Sequence, residues 1–98
     1  VVLDNADTIA DGLAARSVFQ LPYAIMKDHI TDVVLLNENE ILSGVNMAIE
    51  FTHNLAECAG AASLAGAMKI KDRLKGKKVV LIMSGGNIDR KHLVQAIQ

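Results

Sequence analysis

Lys78-Val79-Val80-Leu81-Ile82-Met83-Ser84-Gly85-Gly86-Asn87 sets five uninterrupted apolar residues directly before a serine, two glycines and an asparagine. An unbroken run of this kind is expected where both faces of a parallel strand are covered by helices. The glycines end it abruptly, and Asp89 just beyond can cap a helix carrying Leu93, Val94 and Ile97 on one side. In open α/β sheets, ligands sit past the carboxyl ends of the strands. Ser84-Gly85-Gly86-Asn87 therefore reads either as a plain strand-to-helix turn or as a ligand loop. In the second reading the glycines allow close backbone approach and Ser84 offers a hydroxyl that donates and accepts.

Toward the N-terminus, Glu57 to Leu74 reads as a helix whose opening, Ala59-Gly60-Ala61-Ala62-Ser63-Leu64-Ala65-Gly66, contains almost nothing large. Each glycine costs a helix about 1 kcal/mol relative to alanine, so Gly60 and Gly66 imply a close approach to a helix, a sheet or a ligand. Asn37 followed by Glu40 is a capping-box start, and the helix it opens has Ile41, Val45, Ala48 and Ile49, with Thr52, on its inward face. Asp32 to Leu36 holds the short β-favouring run Val33-Val34-Leu35-Leu36, read as a strand. Phe19, Tyr23, Met26 and Ile30 recur at helical spacing, with Pro22 admissible in the first turn. Val1-Val2-Leu3 reads as the tail of a buried strand, and without an initiator methionine the chain is expected to begin mid-fold. The resulting order is strand, helix, strand, two helices, strand, helix. It is an α/β pattern of short parallel strands flanked by helices, with right-handed crossovers.

The chain has 98 residues, of which 51% are hydrophobic and 21% charged, with one proline. That suits one compact domain or part of a larger one and argues against disorder. Ten basic residues against eleven acidic ones give a net charge of −1, so no sequence-wide field recruits nucleic acid or an anionic membrane. Phe19, Tyr23 and Phe51 are the only aromatic residues, too few for a base-stacking platform. A single cysteine, Cys58, and no signal-peptide pattern point to a reducing, cytoplasmic setting. No apolar run approaches the ~20 residues of a membrane-spanning helix.

Other constellations carry less. Asp4, Asp7 and Asp11 lack the ligand series of a calcium loop and suit solvated loop or helix-start positions. His53 and Glu57 lie four apart, but Asn54-Leu55-Ala56 is expected to separate two helices, and a third ligand is missing, so no metal site is assigned. Glu57 could be a functional carboxylate or a favourable helix N-terminal charge. Gly60 and Gly66 enclose five residues with no following lysine, which fails the phosphate-loop pattern. The basic run Lys69, Lys71, Arg73, Lys75, Lys77 and Lys78 is read as complementing a helix C-terminus in water, and Cys58 as inert packing.

Thr8-Ile9-Ala10-Asp11-Gly12, Asp32-Val33-Val34, Glu57-Cys58-Ala59-Gly60-Ala61 and Ser84-Gly85-Gly86-Asn87-Ile88-Asp89, taken in this order, resemble the serine/threonine dehydratase family of pyridoxal-phosphate enzymes of fold type II. The resemblance implies that residues 1–98 are the C-terminal portion of the catalytic, large domain. The segment bearing the cofactor lysine, the glycine-rich phosphate loop and the family's cation ligands would then lie upstream of Val1. It implies pyridoxal phosphate as cofactor, an amino-acid substrate, and conversion of L-serine or L-threonine to a 2-oxo acid and ammonia by loss of water. Ser84 matches the serine that hydrogen-bonds the pyridine nitrogen, Gly12 a position whose backbone lies beside the cofactor, and Glu57 a glutamate near the ring edge. Gly85 and Asn87 belong to the turn that carries Ser84. In the related serine racemases the residue matching Asn87 lies near a nucleotide effector site. Cys58 stands where glycine or proline is common. No catalytic residue and no metal ligand is assigned within the chain, which is expected to be inactive alone, to complete its site with the remainder of its own domain, and to form a homo-oligomer when intact. A serine racemase shares these motifs and is the nearest alternative. An independent binding or assembly module without catalysis is the alternative from another class.

Overall fold

The computed structural model describes residues Val1–Gln98, and helices are its only regular elements. After a single 3-10 turn at Asp11–Leu13 come α1 (Gln20–Met26), α2 (Glu38–Thr52), α3 (Cys58–Lys69), α4 (Lys71–Leu74) and α5 (Arg90–Ile97). The whole is a slab of 38 × 37 × 19 Å.

The helix starts follow local chemistry. Asn37 Oδ1 accepts from the Glu40 N–H at 2.9 Å while Glu40 Oε2 accepts from the Asn37 N–H at 2.8 Å, the reciprocal capping box expected of that pair. The helix ends at His53, whose φ of 55° turns the chain out of line, so His53 and Glu57 do not share a helix face. Asp89 Oδ1 accepts from the His92 N–H at 2.7 Å and opens α5. Pro22 falls in the first turn of α1, as its ring requires.

α2 turns Ile41, Gly44, Val45 and Ala48 inward against α3, which presents Ala61 and Ala65. A Cβ on Gly44 would lie 2.8 Å from the Ala61 carbonyl oxygen, so the two helices approach backbone to backbone there. The core is consequently thin: its buried cluster is Ile41, Val45, Cys58 and five alanines, Ala10, Ala48, Ala56, Ala59 and Ala61, with larger side chains such as Leu36, Ile49, Leu64 and Ile88 only partly buried against it. The inward face of α2 is the anticipated one, except that Thr52 is exposed and turns its hydroxyl back onto the Ala48 carbonyl at 2.6 Å. On α5 only Leu93 of the three expected residues is half-buried. Val94 and Ile97 are exposed, and His92 and Ala96 take the inner positions.

The expected short parallel strands are not formed. Residues 32–36 and 78–83 make no backbone–backbone hydrogen bond, and Val1-Val2-Leu3 is exposed rather than buried. A strand is a pairing as well as a propensity, and neither run finds a partner among these residues. Both nevertheless keep the period of a strand. Val79, Val80, Leu81, Ile82 and Met83 are 45, 89, 41, 75 and 41% exposed in turn, and Val33 and Leu35 are exposed while Val34 and Leu36 are half-buried. Val34 and Leu36 of one run and Val79 and Leu81 of the other line one apolar groove of about 620 Å³, floored by Ala62, Gly66 and Ala67 of α3.

Two more readings are revised. The single helix expected over Glu57 to Leu74 breaks at Ile70 (φ −109°, ψ 22°) into α3 and α4. Two members of the basic run do not stay in water alone. Lys69 Nζ donates to the Leu35 carbonyl at 2.8 Å and pairs with Glu40 at 2.9 Å, and Arg73 pairs with Asp32 at 3.0 Å, tying α3 and α4 to the 32–36 run. α1 is shorter than its periodicity suggests and buries nothing, leaving Phe19, Leu21, Tyr23, Ile25 and Met26 exposed.

Candidate cofactor-site wall

Three backbone segments converge at the start of α3. Glu57, in an extended conformation (φ −72°, ψ 167°), is its N-cap residue but makes no side-chain cap. Its N–H donates instead to the Gly85 carbonyl at 3.0 Å, and its own carbonyl accepts from Ala61 at 2.9 Å. The carboxylate is thereby left to lie over Gly85, where a Cβ would come within 2.8 Å of Glu57 Cδ. The same carboxylate sits 3.9 Å from where Gly12 would carry a Cβ.

Glycine is required at several of these contacts. A Cβ on Gly60 would collide with the Gly85 carbonyl oxygen, and one on Gly86 would lie 2.7 Å from the Leu55 carbonyl. The close approach inferred from the small-residue opening of α3 is thus real at Gly60, and its object is the backbone of the Ser84–Asn87 turn. Gly66 has nothing within 4 Å of a Cβ and merely borders the apolar groove.

Gly12, Glu57 and Gly85 are brought together, and Ser84 adjoins them through the chain. Ser84 is exposed, and none of the chain's side-chain hydrogen bonds uses its hydroxyl. Gly12 is exposed, and its N–H is already taken by Asp11 Oδ1 at 2.9 Å, which leaves its carbonyl and its missing side chain as what it can offer. Asn87 lies on a polar cleft of about 270 Å³ that it shares with Thr8, Asp11, Glu57, Asp89 and His92. No lysine lines that cleft.

Cys58 is 3% exposed, and burial, reinforced by the carboxylates of Asp89, Glu38 and Asp11, pushes its thiol up, away from the thiolate. It fills space between Glu57 and Ala59. Asp7 accepts from Asn5 at 2.6 Å and Asp11 from Gly12, so these acids serve the loop. No group of three or more His, Cys, Asp or Glu side chains is arranged to hold a metal ion, and no helix is long and apolar enough to cross a membrane.

Two contributors were not found by sequence reasoning. Ser63 Oγ donates to the Ile82 carbonyl at 2.8 Å, and the Leu55 carbonyl crowds Gly86. A serine in an alanine-rich helix carries no signal of its cross-chain partner, and a carbonyl carries none at all.

Comparison with known proteins places the chain in a family. The model of the pyridoxal-phosphate dependent enzyme family matches residues 1–85. An L-threonine ammonia-lyase of Thermotoga maritima is 36% identical over 87 residues, which are 89% of this chain and 21% of that protein. The crystal structure of a T.th. threonine deaminase superposes with a TM-score of 0.82 at 26% identity, covering 91% of this chain and 32% of that one. Serine racemase from Dictyostelium discoideum superposes with a TM-score of 0.75 at 36% identity, covering 85% and 28%. The chain thus spans about a fifth to a third of the proteins it matches. From Val1 to Gly85, through the turn that sets Gly85 against Glu57, the chain belongs to the pyridoxal-phosphate dependent enzyme family.

Proposed function

We propose that these residues form one wall of the cofactor site in an enzyme that eliminates water across the α- and β-carbons of L-threonine or L-serine and takes water up again as ammonia is released, for a net conversion to a 2-oxo acid and ammonia. On this reading they are the C-terminal portion of its catalytic domain. The observation that carries the proposal is the convergence of Gly12 and Gly85 on the Glu57 carboxylate beside a Ser84 hydroxyl with no partner in the chain. Gly85 admits the Glu57 carboxylate and Gly12 admits the Ala59 methyl, so these segments close up into one surface against which a flat ring fits. The unused hydroxyl fits a ring nitrogen, and the carboxylate fits the ring's polar edge.

When bound, the cofactor supplies an electron sink for the substrate's α-carbon. Ser84 holds the ring nitrogen through a neutral hydrogen bond and, unlike a carboxylate, does not enforce its protonation. Glu57 is fixed by its backbone bond to Gly85 and presents its carboxylate at the ring edge. Gly12 lets its loop pack close against Ala59 and supplies a free carbonyl. Asn87 shapes the turn that carries Ser84. No lysine borders this wall, so the 98 residues alone are expected not to turn over substrate.

In the intact enzyme, Ser84→Ala removes the nitrogen's partner, a net hydrogen bond of about 0.5–1.5 kcal/mol, so cofactor affinity falls roughly two- to tenfold. Affinity and kinetics equal to the parent's would remove Ser84 from the site. Serine racemase activity is the second reading, favoured by the likeness to the Dictyostelium discoideum enzyme. Incubation with L-serine separates the two, since D-serine in excess of 2-oxo acid identifies a racemase.

A further inference from the structure

The two carbonyls that bracket Ser84 are both held by α3. The Gly85 carbonyl accepts from the Glu57 N–H at 3.0 Å, and the Ile82 carbonyl accepts from Ser63 Oγ at 2.8 Å. The second bond is unusual for its donor. A serine within a helix commonly turns its hydroxyl back to the carbonyl one turn earlier, as Thr52 does here toward Ala48. Ser63 instead reaches across to a residue nineteen positions away. Because residues 78–83 have no backbone hydrogen bonds, this hydroxyl is the only hydrogen-bond tether on the run leading to Ser84. Without it Val79, Leu81 and Met83 only face the grooves that α3 borders, which sets which face is inward but not the rotation of each peptide.

We propose that Ser63 is a positioning residue for Ser84. This rests on the reading of Ser84 as the cofactor's partner. With Ile82 and Gly85 both anchored, Met83 and Ser84 span two fixed points. The Ile82–Met83 peptide cannot rotate to swing the Ser84 hydroxyl away from the rim it shares with Gly85 and Glu57. Losing the Ser63 hydroxyl frees that peptide, and the turn pivots at Gly85-Gly86.

The test is a double-mutant cycle in the intact protein, with pyridoxal phosphate titrated into the cofactor-free form by fluorescence. Ser63→Ala is expected to weaken binding by no more than the roughly two- to tenfold lost in Ser84→Ala, since it acts through that bond. Ser63→Thr, which keeps the hydroxyl, restores it. Adding Ser63→Ala to Ser84→Ala costs nothing further, since one residue acts through the other. Exchange of the Glu57 amide, which donates to the Gly85 carbonyl, quickens in cofactor-free Ser63→Ala and not in Ser63→Thr. If Ser63→Ala does not fold, Ser63→Cys, similar in size with a weaker donor, takes its place in the cycle and shows the same non-additivity. Unchanged affinity in Ser63→Ala, or a loss that adds fully to that of Ser84→Ala, overturns the role of Ser63 while leaving the site reading intact. Unchanged affinity in Ser84→Ala itself overturns both.

Discussion

The Glu57 N–H donates to the Gly85 carbonyl at 3.0 Å, and the Glu57 carboxylate lies over that same glycine. One residue therefore both fixes the turn and occupies the space where its neighbour would carry a side chain. Gly85 has no positive φ, so alanine there meets only Glu57 and no backbone strain. The obstacle is the end of a flexible side chain, so Gly85→Ala is expected to cost about 1 kcal/mol or less in stability. It displaces the carboxylate and so lowers cofactor affinity. Urea unfolding and cofactor titration on the same variant check both halves, and a large stability loss with normal affinity would contradict the arrangement.

The helix glycines form a graded set. Gly60→Ala drives a methyl into the Gly85 carbonyl, and Gly44→Ala drives one toward the Ala61 carbonyl. Backbone yields little, so each is expected to cost about 1–3 kcal/mol. Gly66→Ala meets nothing within 4 Å and is expected to gain about 0.5–1 kcal/mol from helix propensity. Shifts in urea midpoint of opposite sign for Gly60 and Gly66 are the measurement.

That grading marks how far the sequence could be read. Both α3 glycines carry the same propensity cost, and only the structure shows that Gly60 meets a backbone while Gly66 faces open space. The capping box at Asn37 and the cap at Asp89 were legible because the partners lie three residues apart and the bonds are local. Val33–Leu36 and Val79–Met83 were legible as strand-like, down to the alternation of their exposure, but not as unpaired, because pairing depends on residues far away. Of the candidate site, residue type left both Glu57 and the Ser84–Asn87 turn open between a local structural role and a ligand role, and only the family resemblance singled them out. The Ser63–Ile82 bond did not, since nothing near either residue implies the other.

Lys69 and Arg73 hold the 32–36 run to the helices through the Leu35 carbonyl, Glu40 and Asp32. All four side chains are substantially exposed, and exposed ion pairs are worth about 0–1 kcal/mol. Lys69→Met is thus expected to leave global stability nearly unchanged while speeding proteolytic cleavage within residues 33–36, where no backbone bonds oppose opening. Cleavage at the parent's rate in that segment would show that its inner residues hold it without help.

Glu40 joins the two ends of this arrangement, accepting from the Asn37 N–H and pairing with Lys69. The Asn37 N–H, and after it the Lys69 ammonium, hold its carboxyl below the usual carboxylate range. Asp32 is likewise lowered, by the Val33 N–H first and then by Arg73. A carboxyl whose pKa is lower folded than unfolded contributes stability above its unfolded pKa and loses it as pH falls through the folded value. Stability is therefore expected to decline as pH drops below about 4–5, where unfolded carboxylates begin to take up protons. Glu40→Gln keeps an acceptor for the Asn37 N–H but cannot titrate, so it flattens that decline while α2 remains capped. Urea midpoints compared between about pH 6 and pH 3 read the slope directly. A slope unaltered in Glu40→Gln and in Asp32→Asn alike would place the acid sensitivity in other carboxylates.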